Sequence, residues 1–477
     1  MTPGDVFQAH LDEYTNLETV AAAMERVVGR PLARREEPPQ DGSLRSDLNL
    51  QSGVSELRRN YLIAVSSVVA QHWRTPETGK PVIFPGDGLA YEYAYDRQHP
   101  PLALENRIVS QNSGSAILCS SGMAALNVVF SGLAFVLGPN AHLAALASYF
   151  ETLTLLRISP FAQRWSRFAS VNRFAKRIAE SDVAVVLVEP VRYDWGLTTE
   201  DWAPVIEAIK DRREPPILVI DTTLCHGCVA QRDLVDTLKT VAPIVLEVRS
   251  GIKLDQIGFE LANVGIIEWS DHSQESRTLR LKEILSACRV AIGATLTWTD
   301  SCALSPQFIF DNRAVSTYSR AVFATNRALY KAIQPDRRLF EEVVYPGDPW
   351  VSPFVLFKLR VGGDAAYRRL AYLISQEQAH RGLQWRMSGS FGFRSARYET
   401  ILPNEQTRAQ EAPEGVLKVA AGCYEGAQFQ AIVELLNELA DFPDLETVNR
   451  VWGRRIHAIA AEVEYDRQAN PNARPSR

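Results

Sequence analysis

No apolar run in this 477-residue chain is long enough to cross a bilayer. The longest, Met123 to Gly138, is broken by Asn127 and Ser131 and falls short of the roughly 20 residues a span needs. The opening MTPGDVFQAHLDEYTN has no basic segment leading into an apolar one, so no secretory leader is expected and a cytoplasmic location without a membrane partner is. Charge of one sign is also missing. With 51 Lys+Arg against 56 Asp+Glu the net charge is −5, which gives no electrostatic footprint for nucleic acid. Cysteine is sparse, six residues scattered at 119, 225, 228, 288, 302 and 423, and this suits reduced thiols better than a disulfide framework. The eight histidines show no H-E-x-x-H or other ligand spacing, so no metal is expected. With 26 Pro and 27 Gly, usage is near average, which excludes collagen-like and wholly disordered chains. There is no internal repeat.

What is present is an ordinary globular composition, 46% hydrophobic and 22% charged, in a chain long enough for two or three domains. Residues 1–100 are rich in charge and proline, as in RPLARREEPPQDGS (30–43), with only short helical patterns, and read as an N-terminal arm with helices. From 101 to 345 apolar runs alternate with amphipathic segments: SAILCSS (115–121), AHLAALAS (141–148), VAVVLVEP (183–190), PPILVIDTT (215–223) and APIVLEVRS (242–250) are buried-strand candidates. Short apolar runs followed by a polar residue and a helix predict an α/β fold, a mostly parallel sheet covered on both faces. Ligands of such sheets bind at the carboxyl ends of the strands. Beyond PGDPWVSP (346–353), FVLFKLRV, AAYRRLAYLISQEQAHRGL and VLKVAAG read as a smaller α/β domain over 346–465. Residues 466–477 read as a disordered tail.

Taken singly, the polar residues after these runs are ambiguous. Ser120-Ser121-Gly122-Met123-Ala124-Ala125 could cradle a phosphate at a helix N-terminus or be a plain strand-to-helix turn. Asp221, ending the run ILVI, could hold a cofactor's ring nitrogen or cap a helix. Lys253, in Arg249-Ser250-Gly251-Ile252-Lys253, could be a solvated lysine. Cys225-His226-Gly227-Cys228 lacks the second Cys/His pair of a zinc site and reads as two half-buried thiols.

Their order is more telling. Tyr95-x-Arg97-x-x-Pro100, SSGMAA at 120–125, Tyr149, Glu189, Asp221 and Ser250-x-x-Lys253 follow one another at successive strand ends. Together they resemble the cystathionine γ-synthase-like (Cys/Met-metabolism) family of pyridoxal-phosphate-dependent enzymes, as a divergent member. The resemblance implies the aspartate aminotransferase-type fold (fold type I), a large seven-stranded domain with a smaller C-terminal domain, and pyridoxal 5'-phosphate as cofactor. Lys253 would form the Schiff base and shuttle protons, which needs a lowered pKa. Asp221 would pair with the pyridinium nitrogen, and Tyr149 would stack on the ring and assist as acid or base. Ser121, Gly122, Met123 and Ser250 would hold the phosphate, with Glu189 also in the cofactor site. Tyr95 and Arg97 would reach the phosphate of a neighbouring subunit, so a homodimer with shared sites, paired into a homotetramer, is implied.

Three departures from that family's pattern stand out. Its threonine before the lysine is Ile252. Its asparagine facing the cofactor's phenolic oxygen is lost in Glu189-Pro190-Val191-Arg192-Tyr193-Asp194. The arginine that grips the substrate carboxylate is replaced in Lys418-Val419-Ala420, and a lysine lacks the planar bidentate fork. The segment Ser390-Phe391-Gly392-Phe393-Arg394-Ser395-Ala396-Arg397 offers other cations. Arg394 or Arg397 is expected to take the carboxylate, with Ser390 beside the substrate and Lys418 peripheral. The resemblance implies γ-elimination or γ-replacement on an amino acid with a γ-leaving group, such as a homoserine ester or a sulfur-linked amino acid. A specialised biosynthetic role fits the departures. A β-lyase or aminotransferase, and a catalytically degenerate binding or scaffold relative, are the alternatives.

Overall fold

The apolar runs of the middle third assemble into one seven-stranded sheet. The computed structural model describes residues 2–33, 38–70, 82–83, 90–91, 101–112, 114–138, 140–180, 182–271, 276–333, 337–402 and 415–453. In chain order, α1 (Pro3–Val28), α2 (Leu44–Ala70), a two-residue ladder of β1 (Val82–Ile83) and β2 (Ala90–Tyr91), and α3 (Leu102–Asn112) precede the sheet. The large unit follows as β3 (Ser115–Cys119), α4 (Gly122–Leu137), β4 (His142–Leu146), α5 (Phe150–Ile158), β5 (Trp165–Arg167), α6 (Val171–Ile178), β6 (Val183–Val188), α7 (Ala203–Lys210), β7 (Ile217–Asp221), α8 (Val229–Lys239), β8 (Ile244–Ser250), β9 (Gly265–Asp271), α9 (Ser276–Ala291) and α10 (Trp298–Ala303). The long α11 (Asn312–Ala332) leads to β10 (Phe340–Val344), β11 (Val355–Leu359), α12 (Asp364–His380), β12 (Arg386–Met387), β13 (Arg397–Ile401), β14 (Val416–Ala420), α13 (Ala427–Asp441) and α14 (Leu445–Trp452).

The large sheet runs β3-β9-β8-β7-β6-β4-β5, and among its strands β9 alone is antiparallel to its neighbours. All five expected strands are there. Their apolar runs, interrupted in β8 by Glu247 and Arg249, come from burial on both faces. The two-residue period divides each strand between two cores: Leu118, Leu146, Val186 and Ile220 join the α1, α2, α6, α7 and α8 side, while Ile117, Leu143, Leu187 and Val219 pack with α4 and Leu285 of α9. The smaller unit is a five-stranded sheet, β10-β11-β14-β13-β12, with its own core against α12, α13 and α14. The mostly parallel large sheet and the separate small sheet are the α/β architecture expected. Among the described residues no helix is long and apolar enough to cross a membrane.

The described residues between 2 and 70 differ from the short helical patterns expected there. They form two long helices of 26 and 27 residues. α1 starts on a capping box, with Thr2 and Asp5 exchanging side-chain and backbone bonds, and stops at Gly29 in the left-handed region at φ 67°. Their periodicity is weak because polar residues are buried in them: Glu13 of α1 and Asp47 of α2 lie inside, bonded to Arg394 and to Tyr424 and Gln428. The helices pack on each other, and α2 packs on α10 and α13. The expected C-terminal tail lies outside the described residues.

Candidate active site

The strand ends place most of the expected residues around one cavity of about 510 Å³. β3 turns at Ser120-Ser121 into α4, whose N-cap is Ser121, the side chain accepting from the Ala124 N–H at 3.1 Å. That leaves the first N–H groups of α4, at Gly122 and Met123, without a partner inside the helix. The turn is packed against its neighbours with no room for side chains: a Cβ on Gly122 would sit 3.0 Å from Ser250 Cβ, and one on Gly265 would sit 1.9 Å from the Ser121 carbonyl oxygen. Glycine at 122 and 265 is what lets β8, β9 and the helix start close together.

Asp221 ends β7, and one carboxylate oxygen accepts from the Thr223 N–H at 2.9 Å. Thr223 in turn accepts from the Ser250 N–H at 3.0 Å, so one hydroxyl ties the ends of β7 and β8. Burial raises the Asp221 carboxyl, opposed by its bonds from Thr223 and by the charge of Lys253. Lys253 follows β8 in a run of turns and points into the cavity, its Nζ 4.9 Å from the centre of the Phe391 ring. Burial brings its ammonium down to about 8, against the supporting charge of Asp221.

Glu189, just past β6, is buried and organises the neighbouring loops. It accepts from the N–H groups of Ser148 (2.9 Å), Tyr149 (3.1 Å) and Tyr193 (3.3 Å). Burial, with repulsion from Asp221, pushes its carboxyl up to about 7. Tyr149 precedes α5 and donates its hydroxyl to Glu151 at 2.6 Å, while its ring meets Tyr193 edge-on at 5.3 Å. Burial and the Glu151 carboxylate raise the Tyr149 phenol.

The cations are arranged differently from expectation. Arg394 does not line the cavity. It is buried in a two-point ion pair with Glu13, at 2.8 and 2.6 Å, with a third bond to the Ile257 carbonyl. Arg397 is buried too, its guanidinium 3.9 Å over Phe393 and both terminal nitrogens on Glu260. Lys418, expected at the periphery, is the cation that lines the cavity, 2.5 Å from Glu399 and 3.4 Å from the Tyr193 hydroxyl. Position on the small sheet decides this: β14 turns Lys418 toward the large unit, while the arginines meet acidic partners first. Ser390 lines the cavity as well. Tyr95 and Arg97 lie outside the described residues. Cys225 and Cys228 are buried free thiols, and Cys228 Sγ caps α8 by accepting from the Gln231 N–H at 3.3 Å.

Sequence reading missed Thr223, Glu151, Glu260 and Glu399. Thr223 and Glu151 stand within two residues of Asp221 and Tyr149, a proximity that marks them as neighbours of the site. Glu399 faces Lys418 in register across β13 and β14, a relation no single strand reveals.

By sequence the chain matches no protein-family model and no curated protein. By structure it resembles a methionine γ-lyase from Micromonospora echinospora, with 19% identity and TM-score 0.55 over 77% of this chain and 92% of that one. A cystathionine γ-lyase from yeast aligns with 16% identity and TM-score 0.54 over 79% of this chain and 92% of the other. A cystathionine γ-synthase from Xanthomonas oryzae pv. oryzae, solved with aminoacrylate and cysteine, gives 19% identity and TM-score 0.56 over 78% and 94%. The chain therefore has the fold of these γ-lyases and γ-synthases, fold type I of the pyridoxal-phosphate enzymes.

Proposed function

We propose that the chain is a pyridoxal-phosphate-dependent enzyme catalysing γ-elimination or γ-replacement on an amino acid with a leaving group at Cγ. The observation that carries this reading is the Lys253 amine, brought down to about 8 by burial, sharing one cavity with Asp221 and the first turn of α4. The donor set suits the cofactor. A primary amine is available for its aldehyde, the Asp221 carboxylate for its ring nitrogen, and the N–H groups of Gly122 and Met123 with the Ser250 hydroxyl for its phosphate. Ile252 adds no hydroxyl, which leaves Ser250 as the polar side chain on that side of the turn. In this reading Tyr95 and Arg97 serve the phosphate site of a second copy, so the working unit is a homodimer, two of which form a tetramer.

Bound pyridoxal phosphate would supply an electron sink for charge developing at the substrate Cα. The chain's own residues do the rest. Lys253, neutral above about pH 8, would accept the proton from Cα, hand it on to the cofactor or to solvent, and, neutral again, take a second proton from Cβ, which lets the Cγ substituent leave with its bonding electron pair. Asp221 keeps the ring nitrogen protonated. Tyr149, its hydroxyl fixed on Glu151, presents its ring to the cofactor. Glu189 holds Tyr149 and Tyr193 in place through their N–H groups. Chemistry at Cγ is favoured over a β-lyase or an aminotransferase because the similar structures are γ-lyases and a γ-synthase.

The visible spectrum of the purified protein tests this. A yellow band, fixed by borohydride and mapped by peptide analysis to a pyridoxyl group on Lys253, is the expected result. No band after adding pyridoxal phosphate would overturn the reading and point to a binding or scaffold role.

A further inference from the structure

Among the described residues the positive charges around the cavity are already matched. Arg249 is held by Asp255 at 2.9 Å and Glu268 at 3.0 Å, and Arg394 and Arg397 are held by Glu13 and Glu260. Lys253 is committed to the chemistry proposed above. Lys418 remains, and its Nζ sits 2.5 Å from Glu399 on the adjoining strand. The two members of this pair are unequal: the Lys418 side chain is 4% exposed and that of Glu399 is 34% exposed. Burial pulls the Lys418 ammonium down, but Tyr193 and Glu399 outweigh it and keep it charged. The cavity is also lined by the carboxylates of Glu151 and Glu260 and by the rings of Tyr149, Tyr193 and Phe391.

An amino acid whose α-amine is taken up by the cofactor and whose side chain is uncharged has to share Lys418 with Glu399, setting two carboxylates around one ammonium at contact distance. An amino acid that brings a second cation can exchange into the pair. Its carboxylate takes Lys418, its cation takes Glu399, and every charge keeps a partner. The neighbouring aromatic rings favour a cation further. Building on the reading above, we propose that Glu399 sets the charge class of the substrate: the cavity takes an amino acid whose side chain carries a second cationic group, an ammonium or a guanidinium.

L-ornithine and L-norvaline differ only by a terminal ammonium, and calorimetric titration of the holoenzyme with each reads the preference directly. Ornithine should bind about tenfold tighter to the wild type, the effect of one charge-assisted contact. In Glu399→Gln the ratio should fall to about one or reverse, with norvaline binding at least as tightly as before, which also shows that the variant is folded. Equal or tighter binding of norvaline to the wild type, or a ratio unchanged in Glu399→Gln, would overturn the proposal. Absorbance is read first. A colourless protein overturns the pyridoxal reading, and the same two titrations still decide the charge class; a coloured protein without the preference overturns the charge class alone.

Discussion

At the scale of single residues the site is governed by burial of charge. The Lys253 ammonium at about 8 is a desolvation effect, and Asp221 is what keeps it from falling further. In cofactor-free protein, acylation of Lys253 by a small acylating reagent should rise with pH through a midpoint near 8, rather than near 10.5. Asp221→Asn removes the supporting charge, so the midpoint should move to lower pH; an upward move, or none, would remove Asp221 from the account. Glu189 gives a stability effect of defined sign. Its carboxyl is pushed up to about 7 in the folded chain from an ordinary value of 4.5, so the folded state holds the extra proton between those values. The associated stability is present below 4.5 and lost as pH rises through 7. Urea unfolding of cofactor-free wild type should therefore weaken between pH 5 and pH 8. Glu189→Gln should show a smaller drop, by about 3 kcal/mol. Equal drops would mean that Glu189 is ionised throughout.

At the scale of elements, what could be read from the chain was whatever burial writes into a short stretch. β3, β4, β6 and β7 are mostly apolar runs and β8 opens on one, Ile244-Val245-Leu246, because both faces are covered, and Asp221, Ser250, Glu189 and Tyr149 stand at or just past their ends. β5, three residues at the sheet edge with mixed exposure, carries no such run. β9 was missed because Glu268 and Ser270 break its apolar run after Ile266-Ile267, while its glycine, Gly265, matters through the close approach to Ser121. α1 and α2 were underestimated because Glu13 and Asp47, buried in them, break the apolar stripe and find their partners more than 370 residues away. The Gly265 contact is testable at this scale. Gly265→Ala sets a methyl 1.9 Å from a backbone oxygen, with no flexible side chain to yield, and should cost on the order of 3 kcal/mol in urea unfolding. Gly122→Ala meets Ser250 at 3.0 Å and should be milder for stability while weakening pyridoxal phosphate uptake. The reverse order would show that the turn is looser than the packing implies.

At the scale of the whole molecule, the N-terminal helices bind the two sheets together. Arg58 of α2 holds the carbonyls of Phe259 and Glu260 beside the large sheet. Asp47 on the same helix accepts from Tyr424 and from the Gln428 N–H at the start of α13. Glu13 of α1 neutralises Arg394, which also reaches the Ile257 carbonyl. Arg394, expected to grip substrate, is thus a structural link between α1, the segment after Lys253 and the small unit. Both side chains of the pair are at most 4% exposed, so removing one partner leaves a buried charge uncompensated. Glu13→Gln should lower stability by about 3 to 5 kcal/mol. The apolar pair Glu13→Leu with Arg394→Met should recover most of the loss, since such a pair removes both desolvation costs at once. Urea midpoints of the three proteins check this, and amino-acid binding by the double variant supplies the contrast: it should match the wild type. Weakened binding at restored stability would return Arg394 to the substrate site. A Glu13→Gln variant as stable as the wild type would mean that water or another group already shares the Arg394 charge.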